Sequence, residues 1–292
     1  MRHVQEVLQV SQRRVCRALG QPRSSQRYVA LPRNGEKELT EKMRALALRH
    51  PRYGYRRVTV LLRREGWRIN IKRVHRLWRK EGLKVPQKQH KRRRLSGSSQ
   101  NAAYRLRAER MNQMWSIDFC HDCTADGRGV KIFSVIDEFT RRCLAIKAER
   151  HITGADVVRV LKKLFAQHGV PQHVRCDNGT EFVCKAVRRW LGQRKVSPLY
   201  IEPGSPWENG YVESYHSRLR DELLNREEFA TLLEARGMLE LWRREYNQER
   251  PHSALGYLAP EAFALASHHA EPCAATPARH DDDELLVETV AQ

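Results

Sequence analysis

Asp118, Asp177 and Glu213 are the side chains whose surroundings suit catalysis, each a carboxylate set in a patterned stretch of chain. Carboxylates gathered in one place repel one another, so a fold that gathers them usually has them share cations. Oxygen-only ligation selects hard metals, magnesium or manganese, over zinc. Two such ions can stabilise both the attacking and the leaving oxygen of a phosphoryl transfer, which then needs no covalent protein nucleophile. Taken singly, each acid also fits an ordinary role, because most Asp and Glu residues are solvated and Asp before Asn-Gly is a common turn former.

The elements that must position them follow from periodicity. Trp115, Ile117 and Phe119 alternate with Ser116, Asp118 and Cys120, which predicts a strand with Asp118 on its polar face. Residues 173–176 form a short strand that runs into Asn178-Gly179, so Asp177 stands at a strand's carboxyl end, where sheet proteins tend to keep their ligands. Val212, Tyr215, Leu219 and Leu223 recur at helical spacing and place Glu213 beside the apolar stripe of a helix. The 35 residues between Asp177 and Glu213 leave room for one helix, one strand and a loop.

Charge supplies a partner. The 292-residue chain has 54 Lys plus Arg against 34 Asp plus Glu, and the excess lies in front: residues 1–110 carry 31 basic and 7 acidic side chains, the remainder 23 and 27. Such a basic half points to nucleic acid, although ribosome-associated or membrane-surface binding would need similar charge. There is no run of 18 apolar residues and no apolar leader core, so a soluble, intracellular protein that does not enter membranes is expected. Seven scattered cysteines fit reduced thiols better than a disulfide framework, and the pair Cys120 and Cys123 has no second pair at zinc-site spacing.

Residues 1–35 show a short helical pattern and then loop signals at 21–25 and 31–35, an N-terminal helical extension without an assigned role. Residues 36–87 read as three helices: 36–49, closed by His50-Pro51; about 56–65, with Val58, Leu61 and Leu62 on one side; and a third opened by Asn70 as N-cap. In the third, Val74, Leu77 and Trp78 face inward and Lys72, Arg73, Arg76, Arg79 and Lys80 outward. This is the pattern of a helix-turn-helix recognition helix, the other reading being a plain helical bundle with a solvated basic face. The basic run 88–94 and Ser96-Gly97-Ser98-Ser99 give a linker over 88–111.

After the Asp118 strand come apolar segments at 130–136 and 143–148. A helix follows, opened by a capping box of Thr153 and Asp156, with Val157, Val160, Leu161, Leu164 and Phe165 on one face. Then come the Asp177 strand, a helix near 184–191, a strand at 199–201, the loop 202–206 and the Glu213 helix. Three meandering strands extended by alternating helix and strand imply an α/β core, a mixed five-stranded sheet covered by helices, preceded by the all-α module. A further helix over 227–246, with Phe229, Leu232, Leu233, Leu239, Trp242 and Tyr246 as packing residues, closes a core domain at 112–265. Residues 266–292, alanine-rich and then acidic, are expected to be disordered.

That order, with acids on the first strand, after the fourth strand and on the last helix, resembles the ribonuclease H-like fold of the retroviral integrase superfamily. It is closer still to bacterial insertion-sequence transposases of the two-reading-frame group, whose second frame encodes the integrase-like catalytic protein. The matching segments are His-Pro-Arg-Tyr-Gly-Tyr-Arg-Arg-Val (50–58), Trp-Ser-Ile-Asp-Phe (115–119), Asp-Asn-Gly-Thr-Glu-Phe (177–182), Glu-Asn-Gly-Tyr-Val-Glu-Ser (208–214) and Tyr-Asn-Gln-Glu-Arg-Pro-His-Ser-Ala-Leu-Gly-Tyr (246–257), spread over residues 36–265.

The resemblance implies an Asp-Asp-(35)-Glu site of Asp118, Asp177 and Glu213. They would bind two magnesium ions, with manganese able to substitute, Asp118 bridging both and the other two acids each completing one side. Arg220, two helical turns after Glu213, would hold substrate phosphate. The implied activity is that of a DNA transposase that binds the terminal inverted repeats of its element, cleaves a strand and joins the 3′ hydroxyl to DNA. The implied partners are element ends and target DNA, further copies of the chain in a synaptic complex, and an upstream-frame protein or frameshift fusion, all in the cytoplasm with the nucleoid. A structure-directed nuclease of the same fold and a DNA-binding regulator are the other functions considered. Asp122 and Asp137 rank as structural or solvated acids; His216, one turn along from Glu213, is within reach of the site but ranks first as a packing or surface residue. Cys176 stands where a small polar residue such as serine is expected.

Overall fold

The computed structural model describes residues 7–28, 35–85, 106–201 and 209–269. Two short helices, α1 (Gln12–Ala18) and α2 (Arg23–Arg27), precede a three-helix module of α3 (Glu36–Arg49), α4 (Tyr55–Arg64) and α5 (Ile71–Lys80). The module has its own core of Leu39, Met43, Val58, Leu62, Val74, Leu77 and Trp78. Asn70 caps α5 as the sequence predicts, its side chain accepting from Lys72 N at 2.8 Å.

Strands β1 (Met114–Cys123), β2 (Gly129–Asp137) and β3 (Cys143–Glu149) form an antiparallel meander. Helix α6 (Gly154–His168) returns the chain to β4 (His173–Cys176), which lies parallel to β1 on its free edge. Helices α7 (Thr180–Val183) and α8 (Lys185–Gln193) lead to β5 (Ser197–Tyr200), which completes the sheet order β3-β2-β1-β4-β5. The chain continues through α9 (Gly210–Leu219), a π-helical turn (Arg220–Leu224), α10 (Leu232–Gln248) and α11 (Pro260–His269).

The alternation along β1 splits the interior in two. Trp115 and Ile117 pack with Phe133, Val135 and Val174 beneath Leu161 and Phe165 of α6 and Trp190 of α8. On the other face Cys120, Ile132 and Ile136 meet Val212, Tyr215 and Leu219 of α9, and Leu239 and Trp242 of α10. Each such side chain, fully buried, contributes roughly 1.5–3 kcal/mol. The start of α6 is fixed by the expected capping box: Thr153 accepts from Asp156 N, and Asp156 accepts from Thr153 N at 3.0 Å. Thr153→Ala is expected to lower unfolding stability by about 1 kcal/mol, read as a lower urea midpoint at unchanged slope.

The three-helix module is docked on the sheet domain through ion pairs. His50 Nδ1 lies 3.1 Å from Glu245 Oε1, Arg49 pairs with Glu249 at 2.9 Å, and Arg64 donates to the carbonyls of Glu249 and Tyr257. At the centre Arg250 and Glu222 are both buried, with Arg250 Nη2 2.7 Å and Nε 2.9–3.1 Å from the carboxylate. Arg57 approaches the same carboxylate to 3.8 Å and lies over the buried Tyr53 ring. Residues 50–57 and 246–257, remote in sequence, therefore interlock.

Several expectations are corrected. The loop signal at 21–25 hides α2, because proline is tolerated at a helix start and Pro22 precedes the first turn. The strand expected at 199–201 runs Ser197–Tyr200, and the helix near 184–191 runs Lys185–Gln193 with the extra turn α7 before it. The helix expected over 227–246 is Leu232–Gln248, capped by Thr231, whose side chain accepts from Glu234 N. Phe229 is buried from an extended segment bridged to Thr124, and Leu233 points outward. α11 continues to His269, four residues past the expected end of ordered chain. The basic run 88–94, residues 96–99, the loop 202–206, the pair Trp207-Glu208, loop residues 31–34 and the tail from 270 lie outside the described residues.

Candidate active site

Asp118 sits midway along the central strand, on the face turned to α9, as the alternation predicts. Its neighbour across β2 is Ser134, and its Oδ1 accepts from Phe119 N at 2.7 Å. Two residues earlier on the same face, the Ser116 hydroxyl donates to buried Glu138. Arg175 of β4 donates to both Glu138 oxygens at 2.7 and 2.9 Å and to Leu106 O at 2.8 Å. This buried network ties β1, β4 and the turn after β2 together, and so fixes the strands that carry the two aspartates.

The β1–β4 register pairs Ser116 with Arg175; two residues further along both strands it sets Asp177 beside Asp118. Four residues of the 177–182 motif besides Asp177 make contacts that fix this turn. Asp177 Oδ1 accepts from Gly179 N at 3.0 Å, and Asn178 Nδ2 donates to Ile201 O at 2.9 Å. Glu181 pairs with Lys131, and Phe182 is buried against Phe119, the rings stacked at 4.7 Å. Burial pushes the Asp177 carboxyl above the ordinary aspartate range, the Gly179 N–H opposes this, and the negative charges of Asp118 and Glu181 raise it further. A Cβ on Gly179 would lie 2.9 Å from Asp177 Oδ1, so a side chain there would displace that carboxylate. A Cβ on Gly154 would overlap Cys184 Sγ, so its absence lets α6 press against the α7–α8 corner.

Glu213 projects from the exposed flank of α9, whose buried stripe of Val212, Tyr215 and Leu219 packs on β1 and β2. The structure brings Asp118 and Asp177 together. It does not close Glu213 onto them: among the described residues no three His, Cys, Asp or Glu side chains are near enough to hold one metal ion. The donor set fits a hard divalent cation, since Asp118 on β1 and Asp177 directly after β4 supply oxygen ligands and burial penalises the charged form of Asp177 when no cation offsets it.

His216 is corrected from a packing residue to a neighbour of the site: it is buried, with Nδ1 3.4 Å from Asp118 Oδ2. Its spacing of three from Glu213 was the available signal, and the face it takes was not readable. Lys131, which pairs with Glu181 beside Asp177, left no signal. Arg220 is exposed where α9 passes into its π-helical turn, and its charge reaches Cys120 on the Asp118 face. Asp137 is structural, accepting from Thr140 N and Asn112 N. Cys176 is buried under the sheet, its thiol pushed up to about 12 by burial and by the neighbouring aspartates.

On α5, Lys72, Arg76, Arg79 and Lys80 form one exposed face with His75, Arg76 also pairing with Glu36 at 2.5 Å. Arg73 is half-buried between that face and the inward stripe, with Nε closed to solvent. Among the described residues no helix is long and apolar enough to cross a membrane.

A helix-turn-helix-like module ahead of an integrase-type sheet with paired aspartates defines a polynucleotidyl transferase of the Asp-Asp-Glu class. Family models agree, with an HTH-like domain over residues 35–93 and an integrase core domain over 108–206 and again over 194–260. The chain belongs to the insertion-element family of integrase-core transposases. It is 39% identical over 270 residues to the insertion element IS407 uncharacterized 31.7 kDa protein of Burkholderia multivorans, covering 92% of this chain and 96% of that one. It is 27% identical to the transposase for insertion sequence element IS904 of Lactococcus lactis, covering 77% and 92%. Among solved structures it is similar to the HTLV-2 integrase catalytic core domain in complex with magnesium, with TM-score 0.42 and 15% identity over 52% of this chain and 96% of that one.

Proposed function

We propose that this chain binds the terminal inverted repeats of its own insertion element, cleaves one strand at each end and joins the freed 3′ hydroxyl to DNA. The observation that carries the reading is the placement of Asp118 on the central strand beside Asp177 at the end of its parallel neighbour, under the helix that carries Glu213. These three carboxylates are the ligands for two divalent cations, magnesium or manganese, which when bound stabilise the attacking and leaving oxygens of an in-line displacement. The chain's own part is positional. The Arg175–Glu138–Ser116 network fixes the strands, the Gly179 and Asn178 contacts aim Asp177, and Arg220 holds a substrate phosphate. His216, 3.4 Å from Asp118, orients that carboxylate. Lys72, Arg76, Arg79 and Lys80 on the exposed face of α5 supply phosphate contacts. Further copies of the chain in a synaptic complex, and the product of an upstream frame, complete the machinery.

The test is excision or circle-junction formation from a donor plasmid bearing the element's ends, with the upstream frame supplied. Junctions formed by the wild type and lost in Asp177→Asn are expected. End binding with no strand chemistry in either protein would replace this reading by that of a DNA-binding regulator. Gly179→Ala, which pushes a methyl group into Asp177, is expected to slow joining on the order of 10- to 100-fold at nearly unchanged melting temperature.

A further inference from the structure

A second cationic site lies on the other side of α9. Ser214 and Arg218, four residues apart, share a flank separated from Glu213 by the buried stripe. There a cavity of about 240 Å³ opens between α9, the turn after β2 and the chain following α10, with Arg141, Arg218, Tyr211, Ser214, Tyr246 and His252 in its wall.

Three observations mark the cavity as a site for an anion. Neither Arg141 nor Arg218 has a carboxylate partner among the described residues, whereas the arginines docking the three-helix module do. Arg141 holds the left-handed conformation, φ 62°, which a non-glycine residue adopts at a cost, and it places its guanidinium 3.7 Å over the Tyr211 ring. Arg141 Nη1 and His252 Nδ1 are closed to solvent with no hydrogen-bond partner among the described residues. The Arg141 Nη1 group is necessarily a donor; an unpaired buried N–H is destabilising, and an oxyanion in the cavity would relieve that penalty. The field agrees: burial and the charges of Arg250, Arg141, Arg57 and Arg218 push the His252 imidazole down to about 3.

We propose that this cavity binds a phosphodiester of the DNA backbone, held between Arg141 and Arg218, on the flank of α9 that faces away from Glu213. The proposal rests on the reading that the chain acts on DNA. DNA is favoured over a free anion because the cavity adjoins Arg57, at the corner where the helix-turn-helix-like module meets the catalytic helix. One duplex gripped there would be fixed at both the recognition module and α9.

The experiment uses the full chain with duplex element ends in EDTA, so that binding is read without cleavage. Arg218→Gln, and Arg141→Gln with it, should lower the slope of log K against log salt by about 0.9 for each phosphate no longer neutralised, and Arg218→Lys should restore much of it. Histidine side-chain NMR on the wild type should show the His252 pKa rising when DNA is added, as the phosphate neutralises the two guanidinium groups. An unchanged salt slope in folded variants, in a protein that still cleaves and joins ends, overturns the proposal and leaves the function intact. A His252 response to inorganic phosphate but not to DNA also overturns it, assigning the cavity to a free anion. If the wild type neither binds nor joins ends, it is the transposase reading that has failed.

Discussion

Asp177→Asn abolishes strand cleavage and joining, by roughly 10³-fold or more given the several kcal/mol that metal-held charge stabilisation supplies, without unfolding the protein. The second half of this expectation follows from the carboxyl's own surroundings. Its pKa is raised in the folded chain, first by burial and then by Asp118 and Glu181, against the Gly179 N–H. A raised acid binds its proton more tightly folded than unfolded. Its effect is absent below the unfolded pKa; as pH rises through the window up to the folded pKa stability falls, and above that window the charged form is a constant burden. Asparagine keeps the shape and the acceptor oxygen facing Gly179 N and removes the charge. In chelator at neutral pH, Asp177→Asn should therefore melt no lower than the wild type. Added magnesium should raise the wild-type melting temperature and leave that of the variant unmoved. A variant that melts well below the wild type in chelator would mean that Asp177 is a structural acid, and the assignment of the site would fall. Asp118→Asn and Glu213→Gln should lose joining to a similar extent, while end binding survives in all three.

The second large effect lies far from the chemistry. Arg250→Ala removes the guanidinium that makes three hydrogen bonds to buried Glu222, leaving that carboxylate with Arg57 at 3.8 Å. Breaking a buried pair from one side costs about 3–5 kcal/mol, because the desolvated partner stays behind. At about 2–4 °C per kcal/mol, the melting temperature should fall on the order of 10 °C. Replacing both partners, Arg250→Met with Glu222→Leu, should recover much of the loss, since two apolar groups leave no charge behind. Glu222 lies in the π-helical turn that continues the Glu213 helix, and Arg57 comes from the three-helix module. The single variant should thus also loosen the docking of the module, seen as faster amide hydrogen exchange in residues 50–57. If the double variant melts as low as the single one, the loss is one of packing rather than of unpaired charge.

Local pattern determined most of the elements and the local settings of all three acids. Alternation placed Asp118 on the α9 face of β1, the Asn-Gly turn placed Asp177 at the end of β4, and helical spacing placed Val212, Tyr215 and Leu219 in the core with Glu213 beside them. The caps at Asn70 and Thr153 were equally legible, because a cap is a contact among residues within one turn. Tertiary structure decided what depends on partners distant in sequence. His216 faces Asp118 because α9 crosses the sheet at one rotation and not another. Phe229 is buried without a helix because Thr124 offers it an extended neighbour. The segments at 50–57 and 246–257 could be recognised as motifs, yet their meaning is that Arg57 and Arg250 converge on one buried carboxylate, Glu222, and a meeting of residues so far apart in sequence has no periodicity to read. Arg141 and Arg218 belong to the same class: in sequence they are two arginines among many, and the fold sets them around one cavity with no carboxylate partner among the described residues.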